Sequence, residues 1–421
     1  MNSSVAHEGV LLVIGIGSQK DRDSRPYREP LLAAAAERFP VWLFDSDEPT
    51  WQKDYTVGAT ALDCYDPQAL VKEARRLAEL HPIVGVLCPD EGTLAAASHV
   101  TEELGFPGLS VESARACRDK KISRSVLTEA GIAQPGFTTA RNWQEALAAA
   151  ERFGFPVVLK PRTLGSSQGV VMVKAPEEIE GAFHDTSRAA YPGVHIPDDY
   201  VVEQYLSGPE VSIDGVVFDG VYTPAFVARK QIGPEPFFTE MGHVVTAEDE
   251  ILTDTAVRSM LQDAHTALGV THGTTHSEVK LTPQGPVIVE INGRPGGDIL
   301  PYLGRLASGV DTCLAAVDAI TGRPPTIRPT RSGSAGIRFF APTEPCQVRE
   351  VRVGDTSTVP GLVRAAPLVS PGAELLCPPQ DTVARFGYVI VEGASYEECA
   401  ERLELADGLI TLDGEPLRTT A

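Results

Sequence analysis

Glu278 and Glu290 bracket the stretch "EVKLTPQGPVIVE", which reads as a strand, a short turn and a second strand. A three-residue turn at Pro283, Gln284 and Gly285, with Gly285 in the left-handed position, makes Glu278 face Glu290 and His276 face Asn292. The two-residue period puts 276, 278 and 280 on one side, opposite 290, 292 and 294. Two ionised carboxylates in that relation repel unless one is protonated or a cation lies between them. With Asn292 they form a hard-oxygen set of the kind magnesium takes, usually together with a nucleotide's phosphates. A solvent-facing hairpin with hydrated glutamates is the plain alternative. Arg294 and the turn "GRPGG" weigh against it, since they add groups for anions at the same place.

A second feature converges on phosphate. Lys160 ends the apolar strand "PVVLKP" (156–161), and the glycine-serine loop "RTLGSSQG" (162–169) follows, then the strand "VVMVKA" (170–175). Glycines let a backbone fold its N–H groups over phosphates, and a lysine adds a point charge. No GK[ST] follows, so this is not a P-loop. Gly15 and Gly17 open like a dinucleotide fingerprint, but Lys20 stands where its third glycine belongs, and a tight turn is the better account.

These groups need elements to hold them. The first third alternates strands (9–17, 41–45, 83–89) with helices (28–39, 67–81, 91–105), which predicts a parallel sheet covered on both faces. Ligands on such sheets bind at the strands' carboxyl ends, here near Gly15 to Ser18, Asp45 and "PDEGT" (89–93). Further on, 118–132 and 142–154 read as helices, the second capped by Asn142. "YVVEQYLSGPEVSIDGVVFDG" (200–220) reads as two antiparallel strands around "SGP", and 250–269 and 300–322 as long helices. A Pro/Gly/Ser linker (322–334) leads to a strand-rich tail (335–421).

The 421 residues suggest several domains, and the 43% hydrophobic fraction supplies an ordinary core. A net charge of -21 disfavours nucleic acid and anionic membranes, but not a small nucleotide bound by local lysines. The seven cysteines are widely spaced without a CxxC, which predicts reduced thiols in a cytoplasmic protein. The opening residues read as a first buried strand rather than a signal peptide, and no stretch is long and apolar enough for a membrane span.

At these residues the sequence resembles the ATP-grasp superfamily, and within it the L-amino acid ligases, which join a carboxylate to an amine through an acyl phosphate. The resemblance implies an α/β and α+β fold with a Rossmann-like domain (1–112), an ATP-grasp core (113–325, mobile lobe about 135–206) and a C-terminal subdomain (326–421). It implies ATP-binding by Lys120 (with Lys121 as the alternative), Lys160, and a lid carrying Gly165, Ser166, Ser167 and Gly169. Glu203, Gln204, Tyr205 and Leu206 would meet the adenine, and Glu210 the ribose. Taken by itself, Glu203 could equally be an exposed strand carboxylate.

Glu278, Glu290 and Asn292 match the family's magnesium ligands, with two ions per site and manganese as a substitute, and Arg294 matches its phosphate-stabilising arginine. The resemblance implies catalytic roles for Arg294, Lys160 and His276, and substrate-binding by Glu91, His276, Arg294, Gly296 and Gly297. It implies His276 and the "GRPGG" turn on the acceptor side and Glu91 near the first substrate's amine. The segment 228–245 resembles the family's substrate-side loop, which implies Lys230, Glu240 and His243 as contributors there, and Phe237 and Phe238 read as pocket wall or core. The expected partners are small carboxylates and amines, with a homodimer by analogy. Competing expectations are a biotin-dependent type of carboxylase and a catalytically silent nucleotide-binding module.

Overall fold

The structure, a computed structural model, describes residues 9–16, 23–191 and 193–417. Gly17, Ser18 and Lys20, part of the glycine-pair argument, lie outside the described residues, as do the first eight.

Four strands, β1 (Val10–Ile14), β2 (Val41–Asp45), β3 (Gly58–Ala61) and β4 (Ile83–Leu87), form a parallel sheet in the order β3-β2-β1-β4. Every residue of β1 is buried, because apolar layers cover both faces. Helices Pro67–Leu80 and Leu94–Leu104 supply one layer, and Arg25–Arg38 supplies part of the other. The rest of that layer comes from far along the chain, the helix Thr312–Ile320.

A second sheet holds β5 (Phe137–Ala140), β6 (Val157–Lys160), β7 (Val171–Val173) and β8 (Tyr200–Gln204) in the order β5-β8-β6-β7. Helices Trp143–Phe153 and Ile179–Arg188 pack on it. The first begins where expected, the Asn142 side chain accepting from the Glu145 backbone N–H.

The remaining strands are β9 (Glu210–Phe218), β10 (Val221–Ile232), β11 (Glu240–Thr246), β12 (Gly273–Thr282), β13 (Gly285–Asn292), β14 (Ser334–Phe340), β15 (Cys346–Val353), β16 (Leu362–Pro367), β17 (Glu374–Leu375), β18 (Gly387–Gly393) and β19 (Ile410–Pro416). Eight of them form one sheet, β13-β12-β9-β10-β11-β14-β18-β16, while β17-β15-β19 stand apart. Strands on both sides of residue 326 therefore share one hydrogen-bonded sheet.

Three expectations change. The strands flanking "SGP" do not pair: both edges of β8 are taken by β5 and β6, so β9 pairs with β10 and β12 instead. Residues 205–209 thus cross between sheets, tied by Tyr205 N to Pro156 O (3.3 Å) and Leu281 N to Pro209 O (2.9 Å). The helix expected over 300–322 is two, Leu300–Ser308 and Thr312–Ile320, because Gly309 turns left-handed (φ +75) and Asp311 caps a new start. The one expected over 118–132 is present but shorter at both ends, Lys120–Glu129: Asp119 caps it through the N–H groups of Lys121 and Ile122, and a separate helix, Val111–Arg118, precedes it.

Candidate active site

The hairpin turn holds two residues rather than three, since Thr282 pairs with Gly285, which opens β13 at φ +122 instead of occupying the left-handed turn position. A bulge makes up the difference. Val279 pairs with Ile288 and Glu278 with Glu290, leaving Val289 as the extra residue. Glu278 therefore faces Glu290, and His276 faces Asn292, by a different route from the one expected.

Neither glutamate is left to repel the other. Glu290 Oε1 lies 3.0 Å from Lys120 Nζ, which also donates to Leu164 O (2.7 Å). Glu278 Oε1 lies 3.1 Å from Lys230 Nζ and 3.4 Å from His276 Nε2. Burial pushes the Glu278 carboxyl up, but Lys230 and His276 outweigh it and hold it at about 2. Lys230 is enclosed by Glu210 and Glu240, each at 2.8 Å, as well as Glu278. Their attraction overcomes burial and keeps the ammonium charged well above the ordinary lysine range.

Of the doubled lysine, Lys120 is the one in the cleft: Lys121 points away to Asp199 (2.9 Å) and is partly exposed. Glu203 is not an exposed strand carboxylate. It is buried between Arg124 Nε and Lys160 Nζ, both at 2.7 Å. Burial raises Glu203, yet two cations hold it at about 2. Lys160 moves the unfavourable way, pushed down by burial, because it shares that one carboxylate with Arg124, whose charge and that of Lys120 oppose its own.

Glu91, at the carboxyl end of β4's connection, is clasped by Arg118 Nη1 (2.6 Å) and Arg294 Nε (3.1 Å), which together hold its carboxyl below the usual range despite burial. The lid segment turns through left-handed Ser166 (φ +55) and Ser167 (φ +56). Gly169 (φ +68) has no room for a side chain, since a Cβ would stand 2.6 Å from Ala189 Cβ.

One cleft gathers nearly the whole expected set: Lys120, Lys160, Gly165, Ser166, Ser167, Glu203 to Leu206, Glu210, Glu278, Glu290, Asn292, Arg294 and Glu91. Phe238 and Lys280 also line it, whereas Phe237 packs into the core of the second sheet. Gly169, His276, Gly296 and Gly297 lie outside its wall. His276 stands behind Glu278, its Nδ1 2.6 Å from Asp214, which overcomes burial and raises the ring's pKa to about 9. Gly296 spends its N–H on Asp214 Oδ2 (2.7 Å), and a Cβ there would strike that carboxylate at 2.8 Å. These two residues brace the hairpin from behind instead of opening onto the cleft.

Arg124, Arg118 and Asp214 were missed by sequence reasoning. Arg124 was findable, four residues after Lys120 and so on the same helix face. Asp214 meets His276 only through the β9–β12 register, which no local signal carries.

The residues fit a divalent cation. Asn292's amide nitrogen donates to Glu91 (3.0 Å) and Glu290 (3.3 Å), and rotating the amide would present its oxygen, beside those carboxylates, to a hard cation. Along the cleft wall, the carboxylates of Glu91, Glu203, Glu210, Glu240, Glu278 and Glu290 outnumber the cations Lys120, Lys160, Lys280 and Arg294. Lys230, Arg118 and Arg124 behind it bring the balance near neutral, so a polyanionic triphosphate must arrive with its own cations.

Two lobes facing such a cleft, with a lysine from each and an acidic hairpin between, define an ATP-grasp fold. The family profile described as ATP-grasp domain matches residues 153–301, and the one described as L-amino acid ligase C-terminal domain 2 matches 338–414. The chain is 28% identical over 346 residues to an uncharacterized protein of Sinorhizobium fredii, covering 79% of this chain and 69% of that one. It is 26% identical over 276 residues to alanine–anticapsin ligase of Bacillus subtilis, covering 60% of this chain and 57% of that enzyme, less than two thirds of its length. The crystal structure of L-amino acid ligase from Bacillus licheniformis superposes with a TM-score of 0.79 at 23% identity, covering 97% of this chain and 99% of that one; this likeness concerns the fold.

The chain therefore carries an ATP-grasp domain and, after it, C-terminal domain 2 of the L-amino acid ligases. Among the described residues, no helix is long and apolar enough to cross a membrane.

Proposed function

We propose that the enzyme joins the carboxylate of one amino acid to the amine of another amino acid or similar amine, through an acyl phosphate, releasing ADP and phosphate. The observation that carries this is the cleft in which Lys120, Lys160, the lid residues Gly165, Ser166 and Ser167, the Glu278/Glu290/Asn292 hairpin and Arg294 converge beside Glu91.

A carboxylate does not acylate an amine at neutral pH; transfer of the γ-phosphoryl group converts it to a mixed anhydride with a good leaving group. Lys120 and Lys160 exchange their carboxylate partners for phosphate oxygens. Glu278, Glu290 and Asn292 would hold magnesium, two ions in this reading with manganese as a substitute, and the metal would supply neutralisation of phosphate charge. Glu91 takes the first substrate's ammonium, and this frees Arg294 to face the transferring phosphoryl group. The lid excludes water from the anhydride until the amine attacks. No covalent bond to the protein is required. The same reading divides the chain near residues 112 and 325 and places a homodimer in the cytoplasm.

The test is nucleotide product release with magnesium and ATP across all pairs of a panel of amino acids and simple amines. ADP and phosphate with a matching condensed mass, for particular pairs only, is the expected result. ADP with bicarbonate alone, or AMP and pyrophosphate, overturns it.

A further inference from the structure

The C-terminal region has no residue on the cleft wall, yet one short segment of it touches two working parts at once. Thr382 Oγ1 donates to Ser166 O (2.8 Å), the carbonyl of a left-handed lid residue. Three residues on, Arg385 forks onto Asp298 (Nη2 to Oδ2, 2.9 Å) and donates to Glu240 O (2.7 Å). Its guanidinium also lies 3.7 Å from the centre of the Phe339 ring. Both Thr382 and Arg385 are buried, at 2% and 5% exposure.

Asp298 and Ile299 follow the "GRPGG" turn with φ +50 and +64, two successive non-glycine residues in the left-handed region. Such strain persists where surrounding bonds over-determine it. Here they are Arg385 and His243 Nε2, the latter 2.9 Å from Asp298 and 3.3 Å from Glu240. Glu240 in turn holds Lys230, which holds Glu278. A continuous chain of ion pairs thus runs from Arg385 to the acidic hairpin, while Thr382 reaches the lid.

We propose that Thr382–Arg385 is a tie between the lid and the acceptor-side turn, and that Thr382 and Arg385 are positioning residues for ligation. The lid is held shut over the phosphates by the same segment that fixes Asp298, so water is excluded while the acceptor side is in place. This rests on the acyl-phosphate reading above, and the experiment separates the two.

The wild-type enzyme is first shown to form ADP and amide in equal amounts. Thr382→Val is expected to release several-fold more ADP than amide, as water takes the anhydride, with a raised KM for ATP and little loss of kcat for ADP release. Thr382→Ser, which keeps the hydroxyl, restores equal yields. Arg385→Lys is expected to raise KM for the acceptor amine above all. A purely structural role would lower every rate in parallel and leave the ADP-to-amide ratio at one. With a non-hydrolysable ATP analogue, the lid should resist limited proteolysis in the wild type and be cut several-fold faster in Thr382→Val. Equal yields and equal proteolysis in Thr382→Val overturn the tie. A wild type that makes no amide overturns the ligase reading instead, and the proteolysis still decides the tie.

Discussion

Lys230 Nζ stands 3.1 Å from Glu278 Oε1, so one of the two hairpin carboxylates is neutralised by a cation built into the protein. Glu210, Glu240 and Glu278 all converge on that ammonium, which is fully buried. Lys230→Met leaves three half-buried carboxylates facing one another without their buried cation, and removing one partner of a buried charge group costs about 3–5 kcal/mol. Urea unfolding in EDTA should show a loss of that size. Added magnesium should recover part of it, because the acidic triad, with its ligand atoms within 4.8 Å of one another, can then take a metal ion. Equal stability with and without magnesium would argue against that substitution.

Asn292→Ala and Glu290→Gln act on the hairpin itself. Each should raise the magnesium concentration for half-maximal ADP release about 10–100-fold. A fall in kcat with unchanged magnesium dependence would remove both residues from the ligand set.

The doubled lysine gives a sharp contrast. Lys120→Ala, which strands Glu290, should cut kcat/KM for ATP by about 100-fold or more. Lys121→Ala breaks a partly exposed pair with Asp199, and such pairs contribute about 0–1 kcal/mol, so kcat/KM should stay within about two-fold. Comparable losses in the two variants would contradict the assignment.

Glu203 sets an acid limit. Its carboxyl is held at about 2 against an ordinary 4.5. A depressed carboxylate stabilises the fold above the ordinary value, and that stability is lost as the pH falls through about 2. The shift corresponds to about 3 kcal/mol as an upper figure. Urea midpoints should fall steeply between pH 5 and pH 2.5 in the wild type and less steeply in Glu203→Gln, which starts lower because Arg124 and Lys160 lose their shared partner. Parallel curves would mean that another carboxylate dominates.

Local pattern carried much of this site. Period and turn chemistry placed Glu278 opposite Glu290, although the turn is shorter and a bulge at Val289 restores the register. The apolar runs at 9–17, 41–45 and 83–89 announced a doubly covered parallel sheet, whose strands are Val10–Ile14, Val41–Asp45 and Ile83–Leu87. Non-local information was absent. Nothing near Thr312 signals that its helix covers the N-terminal sheet, and nothing near Glu203 reveals that Arg124 and Lys160 bury it. His276 drew attention as a reactive type, but its role depends on Asp214, 62 positions away. Arg385 sits in an unremarkable tail sequence, and only the folded sheet brings it to Asp298.

The seam between β11 and β14 bears on how this protein can be cut or recombined. β11 pairs with β14 from Gly242–Arg338 to Thr246–Ser334, and β14 pairs with β18 along seven residues. Ending the chain ahead of β14 would bare the backbone of β11, whose Val244 and Val245 are fully enclosed, as a sticky template for intermolecular pairing. A chimaera exchanging the tail with a relative must therefore carry β14 and its facing partners as a matched set, and a truncated enzyme is expected to precipitate before its chemistry can be assayed.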